Sequence, residues 1–164
     1  MNIGHRKLFW WALAVATILI VGEVSFYRTY ATREAVASEG FTTGTFAGVS
    51  FTIELATTTA AQERGLGGRT NVPDRYGMLF VFPKSGFYGF WMKNTLVPLD
   101  MFWLDGQGRV VYQARDVATS TYPNVFFPSA SARYVLETNA GFARTHRVAT
   151  GTPLLLKDFP TVSK

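Results

Sequence analysis

The side chains best suited to chemistry lie in one short stretch, Phe90-Trp91-Met92-Lys93-Asn94-Thr95, followed two residues later by Pro98-Leu99-Asp100. In an extended chain successive side chains alternate, so Phe90 and Met92 take one side and Trp91 and Lys93 the other. Asn94-Thr95 suits a turn that returns the chain towards Pro98. A lysine beside an indole, with an amide and an aspartate close by, can hold an anionic or hydroxylated ligand. The ring stacks on it, and Lys93, Asn94 and Asp100 set its orientation. The same residue types also allow a purely structural arrangement, in which Lys93 pairs with Asp100 and Asn94 caps a turn.

Other chemistries have less to work with. The 164 residues contain no Cys, which excludes disulfides, thiolate metal sites and cysteine nucleophiles. His5 and His146 are the only histidines, so one chain cannot build a multi-histidine centre, and neither a metal nor a cofactor is expected. His146, between Arg144 and Arg147, reads as a surface residue at a helix end. No G-x-S-x-G elbow and no P-loop occur, and Gly65-Leu66-Gly67 stops short of a dinucleotide fingerprint. Asp100, Asp116 and Glu137 leave open a carboxylate pair for glycoside hydrolysis, with Asp100 and Glu137 as the candidate acids. The segment Ala118–Ser131 carries Tyr122, Phe126 and Phe127 among Pro, Asn and Ser. It is either a functional loop or a lid folded back on a sheet edge.

These residues need elements to hold them. Val49–Leu55 alternates apolar and polar positions and reads as a half-buried strand. Thr59 to Gln62 forms a capping box opening a helix over Thr59–Leu66, stopped by Gly65, Gly67 and Gly68. Met78–Phe82 is a buried strand ended by Pro83, and Phe87–Met92 is a further strand. Leu96–Leu104 and Arg109–Ala114 flank Asp105-Gly106-Gln107-Gly108, a hairpin signal. Arg133–Thr138 and Thr152–Leu156 complete the strands, with one helical turn over Ala140–Thr145. Short strands with Gly and Pro turns predict a mainly β domain, a compact, jelly-roll-like sandwich or barrel with one or two short helices. An aromatic content of 15% suits a small β core.

The N-terminal part has a different character. Leu8–Val21 carries no charge, and twenty residues from Leu8 to Tyr27 span roughly 30 Å as a helix, the thickness of a bilayer core. Trp10 and Trp11 suit one headgroup level, and Phe26, Tyr27 and Tyr30 the other. Arg6 and Lys7 precede the run, which leaves residues 1–7 cytoplasmic and sends the rest across. A cleaved signal peptide is the competing reading, but Ala35-Val36-Ala37 lies far beyond the apolar run for a cleavage site. The organisation expected is a signal-anchor over 8–27, a juxtamembrane linker over 28–44 and a β domain over 45–164. From Phe41 onward there are 12 Lys and Arg against 8 Asp and Glu, a net +4.

The ordered motifs Glu63-Arg64-Gly65-Leu66-Gly67-Gly68-Arg69, Gly77–Phe82, Phe90–Thr95, Pro98–Asp100 and Tyr134–Glu137 resemble the DUF192 family from about Val49 to Leu156. The resemblance implies a small mainly-β domain, often exported, without an established activity. It points to Arg69, Trp91, Lys93, Asn94, Asp100 and Glu137 as the positions of a shared site. This chain departs from the family in three places. Gly67 stands where a methionine is usual, the loop matching Ala118–Pro123 lacks a pair of cysteines, and Gly151-Thr152 replaces a closing Gly-Asp turn.

The expectation is therefore a single-pass, extracytoplasmic binding or accessory module for an anionic or glycan envelope ligand. Export argues against nucleic acid as a partner, although aromatic rings and positive charge would suit it. The alternative is a hydrolase using Asp100 and Glu137 on a glycan or other small polar substrate. A reporter fused after Lys164 is expected to be active only outside the cytoplasm. Cytoplasmic activity of that fusion would contradict the topology.

Overall fold

The computed structural model describes residues 40–162. The apolar run Leu8–Tyr27, the Ala35-Val36-Ala37 segment and most of the expected linker lie outside the described residues. Among the described residues, no helix is long and apolar enough to cross a membrane.

Among the described residues, seven strands form one sheet, curled as a half-barrel: β1 (Phe41–Phe46), β2 (Val49–Ala56), β3 (Tyr76–Gly86), β4 (Leu99–Leu104), β5 (Val110–Val117), β6 (Ala132–Asn139) and β7 (Leu154–Leu156). Their order across the sheet is β5-β4-β6-β3-β2-β1-β7. Two short helices, α1 (Thr59–Arg64) and α2 (Phe142–Thr145), sit in the connections. Every neighbouring pair is antiparallel except β2 and β3, which α1 joins as a parallel crossover. That crossover corrects the jelly-roll expectation, since two parallel neighbours cannot arise from hairpins alone. The two edges also meet. Val110 donates its N–H to Thr152 O at 3.0 Å, Gly151 to Val110 O at 2.7 Å and Leu154 to Gly108 O at 2.9 Å.

Several local expectations shift for physical reasons. β1 begins at Phe41, inside the segment read as linker; its six residues pair with Val49 to Glu54 of β2, and only Phe46 among them is buried. The cap of α1 is Thr58, one residue earlier than expected, whose Oγ1 accepts from Ala61 N at 3.2 Å. Gln62 closes no capping box; its Nε2 donates to Ala56 O at 3.1 Å and Val81 O at 2.8 Å, tying α1 to β2 and β3. Pro83 does not end β3. The β3–β6 register breaks between Val81 and Gly86, and Pro83, which has no N–H to donate, lies in that break. Phe87–Met92 is not a sheet strand. Its one pairing is with the Ala118–Ser131 loop, where Phe90 and Phe126 exchange two backbone hydrogen bonds of 2.9 and 2.8 Å.

The sheet is apolar on both faces. Met78, Phe80, Met101, Trp103 and Val135 pack on one side, beneath α1 and the Phe90 segment. Leu79, Val81, Phe102, Leu104 and Leu136 pack on the other with Phe46, Phe51 and Phe142. Strand alternation thus sends each neighbouring pair of residues to opposite cores.

Asp100 belongs to the second face and is fully buried. Its Oδ1 accepts from Asp116 N at 2.6 Å and its Oδ2 from Ala143 N at 2.7 Å, joining β4 to the end of β5 and to α2. Replacing it by Ala leaves two backbone donors without an acceptor. Asp100→Ala is expected to cost about 2–4 kcal/mol in urea unfolding, and Asp100→Asn less, because one acceptor oxygen survives. A change within about 0.5 kcal/mol for Asp100→Ala would contradict this role.

Candidate functional site

The cavity of interest lies on the α1 face. It has a volume of about 220 Å³ and opens to solvent between α1, the Tyr88–Thr95 segment and the sheet. The sheet supplies Phe80 and Phe82 from β3 and Glu137 from β6. Gln62, Glu63 and Arg64 of α1 form one wall, and Tyr88, Phe90, Trp91, Lys93 and Thr95 the other.

The aromatic walls are built from paired rings. Phe82 and Tyr88 stack at 3.6 Å between centroids, and Phe80 meets Phe90 edge-on at 4.7 Å. Phe90 in turn packs on Trp103 at 5.6 Å, and the Trp103 indole N–H donates to Tyr88 O at 2.8 Å. The segment that carries Trp91 and Lys93 is therefore anchored from beneath, although it is not part of the sheet. Phe90 and Met92 point inward and are buried, whereas Trp91 and Lys93 are exposed, as alternation requires.

Glu137 is the unusual group. In register it stands between Met78 of β3 and Met101 of β4, so its lateral neighbours are two thioethers with no proton to donate. Above it passes Gly65, the residue that ends α1 with φ +51; a Cβ there would lie 3.8 Å from Glu137 Oε2 and 3.4 Å from the Phe80 ring. Glycine takes this left-handed φ without strain, and a Cβ there would simply pack against the carboxyl and the Phe80 ring. Oε2 is buried and has no hydrogen-bond partner among the described residues. Burial pushes the Glu137 carboxyl up to about 8, so it carries its proton at neutral pH. A protonated carboxyl is a hydrogen-bond donor, and Glu137 lines the same cavity as Lys93, Arg64 and Glu63.

The structure brings Trp91, Lys93 and Glu137 to one cavity and places the other candidates elsewhere. Arg69 donates to Glu54 Oε2 at 2.6 Å and to the Tyr76 hydroxyl at 2.6 Å, and that hydroxyl donates to the same carboxylate. This is a structural lock between β2 and β3. Asn94 takes φ 57 in a turn, and its carbonyl accepts from Gly68 N at 2.8 Å. Asp100 pairs in register with Thr138 while Met101 pairs with Glu137, so the two carboxylates lie on opposite faces of the sheet. They cannot flank one substrate bond, and Lys93 has no contact with Asp100. In the loop, Phe126 packs inward behind Phe90, whereas Tyr122 and Phe127 are exposed. Gln62, Phe80 and Tyr88 were not anticipated; the Glu63-Arg64-Gly65 stretch was the available signal that α1 faces the site.

These features define a mainly-β domain with a small, open, aromatic cavity floored by one neutral carboxyl. The family model of DUF192, described as uncharacterised ACR, matches residues 42–156, and the chain belongs to that family. A UPF0127 protein of Thermococcus gammatolerans is 35% identical over 104 residues, which cover 60% of this chain and 62% of that protein. Among solved structures, a Sinorhizobium meliloti 1021 protein described as a candidate transcription regulator is 29% identical, with a TM-score of 0.66 over 71% of this chain and 94% of its own. A Novosphingobium aromaticivorans protein of unknown function is 31% identical, with a TM-score of 0.64 over 71% of this chain and 84% of its own.

The carboxyl makes stability depend on pH. The unfolded chain ionises Glu137 near 4.5 and the folded chain near 8, so the folded state holds the proton more tightly. The contribution is complete below about 4.5 and is lost as pH rises to 8. Glu137→Gln is expected to remove that loss. It would match the parent at pH 4 and exceed it at pH 8 by on the order of 3–5 kcal/mol in chemical unfolding. Equal pH profiles for the two proteins would contradict the assignment.

Proposed function

We propose that this chain is a membrane-anchored, extracytoplasmic binding module that holds an anionic or glycan ligand of the cell envelope in the cavity above Glu137. The observation that carries the reading is the buried Oε2 with no partner, at the floor of a cavity open to solvent. An unpaired polar atom in an apolar site costs stability, and such a cost is typical of a group kept for a ligand. Aromatic rings on the walls offer faces for stacking, and Lys93 at the mouth offers a charge to an anion. Support for the anchor is the run Leu8–Tyr27 behind Arg6 and Lys7.

The opposed placement of Asp100 and Glu137 favours binding over two-carboxylate hydrolysis. A module of this kind acts by holding its ligand near the membrane surface, and its affinity falls with salt where Lys93 contributes.

The purified chain is expected to be retained on isolated envelope material at low salt and released as salt rises. Lys93→Met should reduce that retention while changing stability by about 0–1 kcal/mol, because Lys93 is exposed and no carboxylate pairs with it among the described residues. Retention unchanged by Lys93→Met, or a loss of several kcal/mol in stability, would overturn the site assignment.

A further inference from the structure

The cavity and the loop beside it together carry a more specific reading of the ligand, one that rests on the binding role proposed above. Phe87, Trp91, Val125 and Phe127 are all exposed, at 63%, 48%, 38% and 59%. The antiparallel bridge between Phe90 and Phe126 puts them on one side of a two-stranded ribbon. Phe90 and Phe126 turn inward, so their neighbours in sequence Trp91, Val125 and Phe127 turn outward. Gly89 lies between them, and a Cβ there would come within 2.6 Å of the Phe127 ring and 2.7 Å of Val125. Val125 and Phe127 therefore lie against the backbone of Gly89, two residues before Trp91. Trp91 belongs both to this ridge and to the cavity wall.

The cavity is shallow in capacity. Its 220 Å³ falls below the roughly 300 Å³ at which drug-sized sites begin, which leaves room for one ring and not for two. The sheet closes the floor, so a chain cannot thread through. The polar requirements are split by depth. At the floor, Glu137 donates a hydrogen bond and its surroundings reject a buried charge, so the group that meets it is neutral, such as a hydroxyl or ring oxygen. At the mouth, Lys93 is exposed and pairs with no carboxylate among the described residues, so an anionic substituent is accepted there.

We infer that the site takes the terminal unit of an acidic glycan end-on: one uronic-acid-type ring enters the cavity, with a hydroxyl on Glu137 and its carboxylate at Lys93, while the next unit stacks on the Trp91–Phe127 ridge. The module then recognises chain ends and ignores chain interiors. Each added unit beyond the second finds no further surface of this kind.

The test uses the purified full chain in detergent with galacturonic acid, its dimer, its hexamer and neutral galactose as probes, followed by calorimetry. The expected result is that galacturonic acid binds at least ~10-fold more tightly than galactose at low salt. The dimer binds more tightly than the monomer, the hexamer matches the dimer, and stoichiometry stays at one protein per chain. Glu137→Leu is expected to lose binding. Glu137→Gln, which keeps a donor, is expected to retain it and to lose the weakening that the parent shows as pH rises through about 8. Thermal melting of both variants distinguishes lost binding from lost folding.

Several protein copies on one hexamer, equal affinity for galactose and galacturonic acid, or full binding by Glu137→Leu would each overturn the inference. Retention on envelope material without binding of any of these sugars would overturn end-on recognition and leave the binding module standing. Failure of both would remove the two together.

Discussion

Strand β6 is paired on both sides, to β3 and to β4, and that double pairing governs where every side chain on it points. With six register pairs to β4 and five consecutive pairs to β3, the strand cannot slip by one residue without turning both cores inside out. Val135 and Glu137 are thereby committed to the α1 face, and Leu136 and Thr138 to the other. Everything proposed for this molecule follows from a carboxyl committed to an apolar face where its neighbours are Met78 and Met101. Neither Met78 nor Met101, its neighbours in the two paired strands, can donate a hydrogen bond to Oε2.

The other two walls of the cavity, α1 and the Tyr88–Thr95 segment, are held to the sheet by contacts of their own. Gln62 fastens α1 to the carbonyls of Ala56 and Val81, so the helix is fixed by its polar side chain and not by filling the cavity. The opposite wall hangs on Phe90, which is packed against Phe80 and Trp103 and bonded through its backbone to Phe126. Gly65 ends α1 beside the carboxyl with a positive φ that other side chains rarely adopt. The same architecture gives the remaining ionic groups structural tasks. Asp100 joins β4 to α2 and the end of β5, and Arg69 locks Glu54 and Tyr76 at the start of the parallel pair.

Much of the strand pattern was legible in the residues. Val49–Leu55 alternates cleanly because one face of β2 packs and the other is covered less, and Asp105–Gly108 could hardly be anything but a turn. β1 was hidden because Phe41–Phe46 is rich in Thr and Gly and exposes much of its surface, so it looked like a continuation of the linker. The segment Phe87–Met92 alternated like a strand and is extended, but its partner is a loop, which local sequence cannot reveal. The parallel pairing of β2 and β3 was equally invisible, since register between distant strands is a property of the whole sheet. At the site, Trp91 and Lys93 were legible from alternation, whereas the fate of Asp100 depended on its backbone partners Asp116 and Ala143, far away in sequence. Glu137 came from the motif. Its isolation is a matter of three-dimensional neighbours.

Glu137 keeps a proton at neutral pH because it is buried on an apolar face where its Oε2 finds no partner among the described residues. Site-specific carbon-13 NMR of the Glu137 side-chain carboxyl, followed across pH, tests this directly. The account predicts a titration midpoint near 8. A midpoint in the ordinary carboxylate range, near 4.5, would mean that the carboxyl is solvated or paired, and would contradict the account.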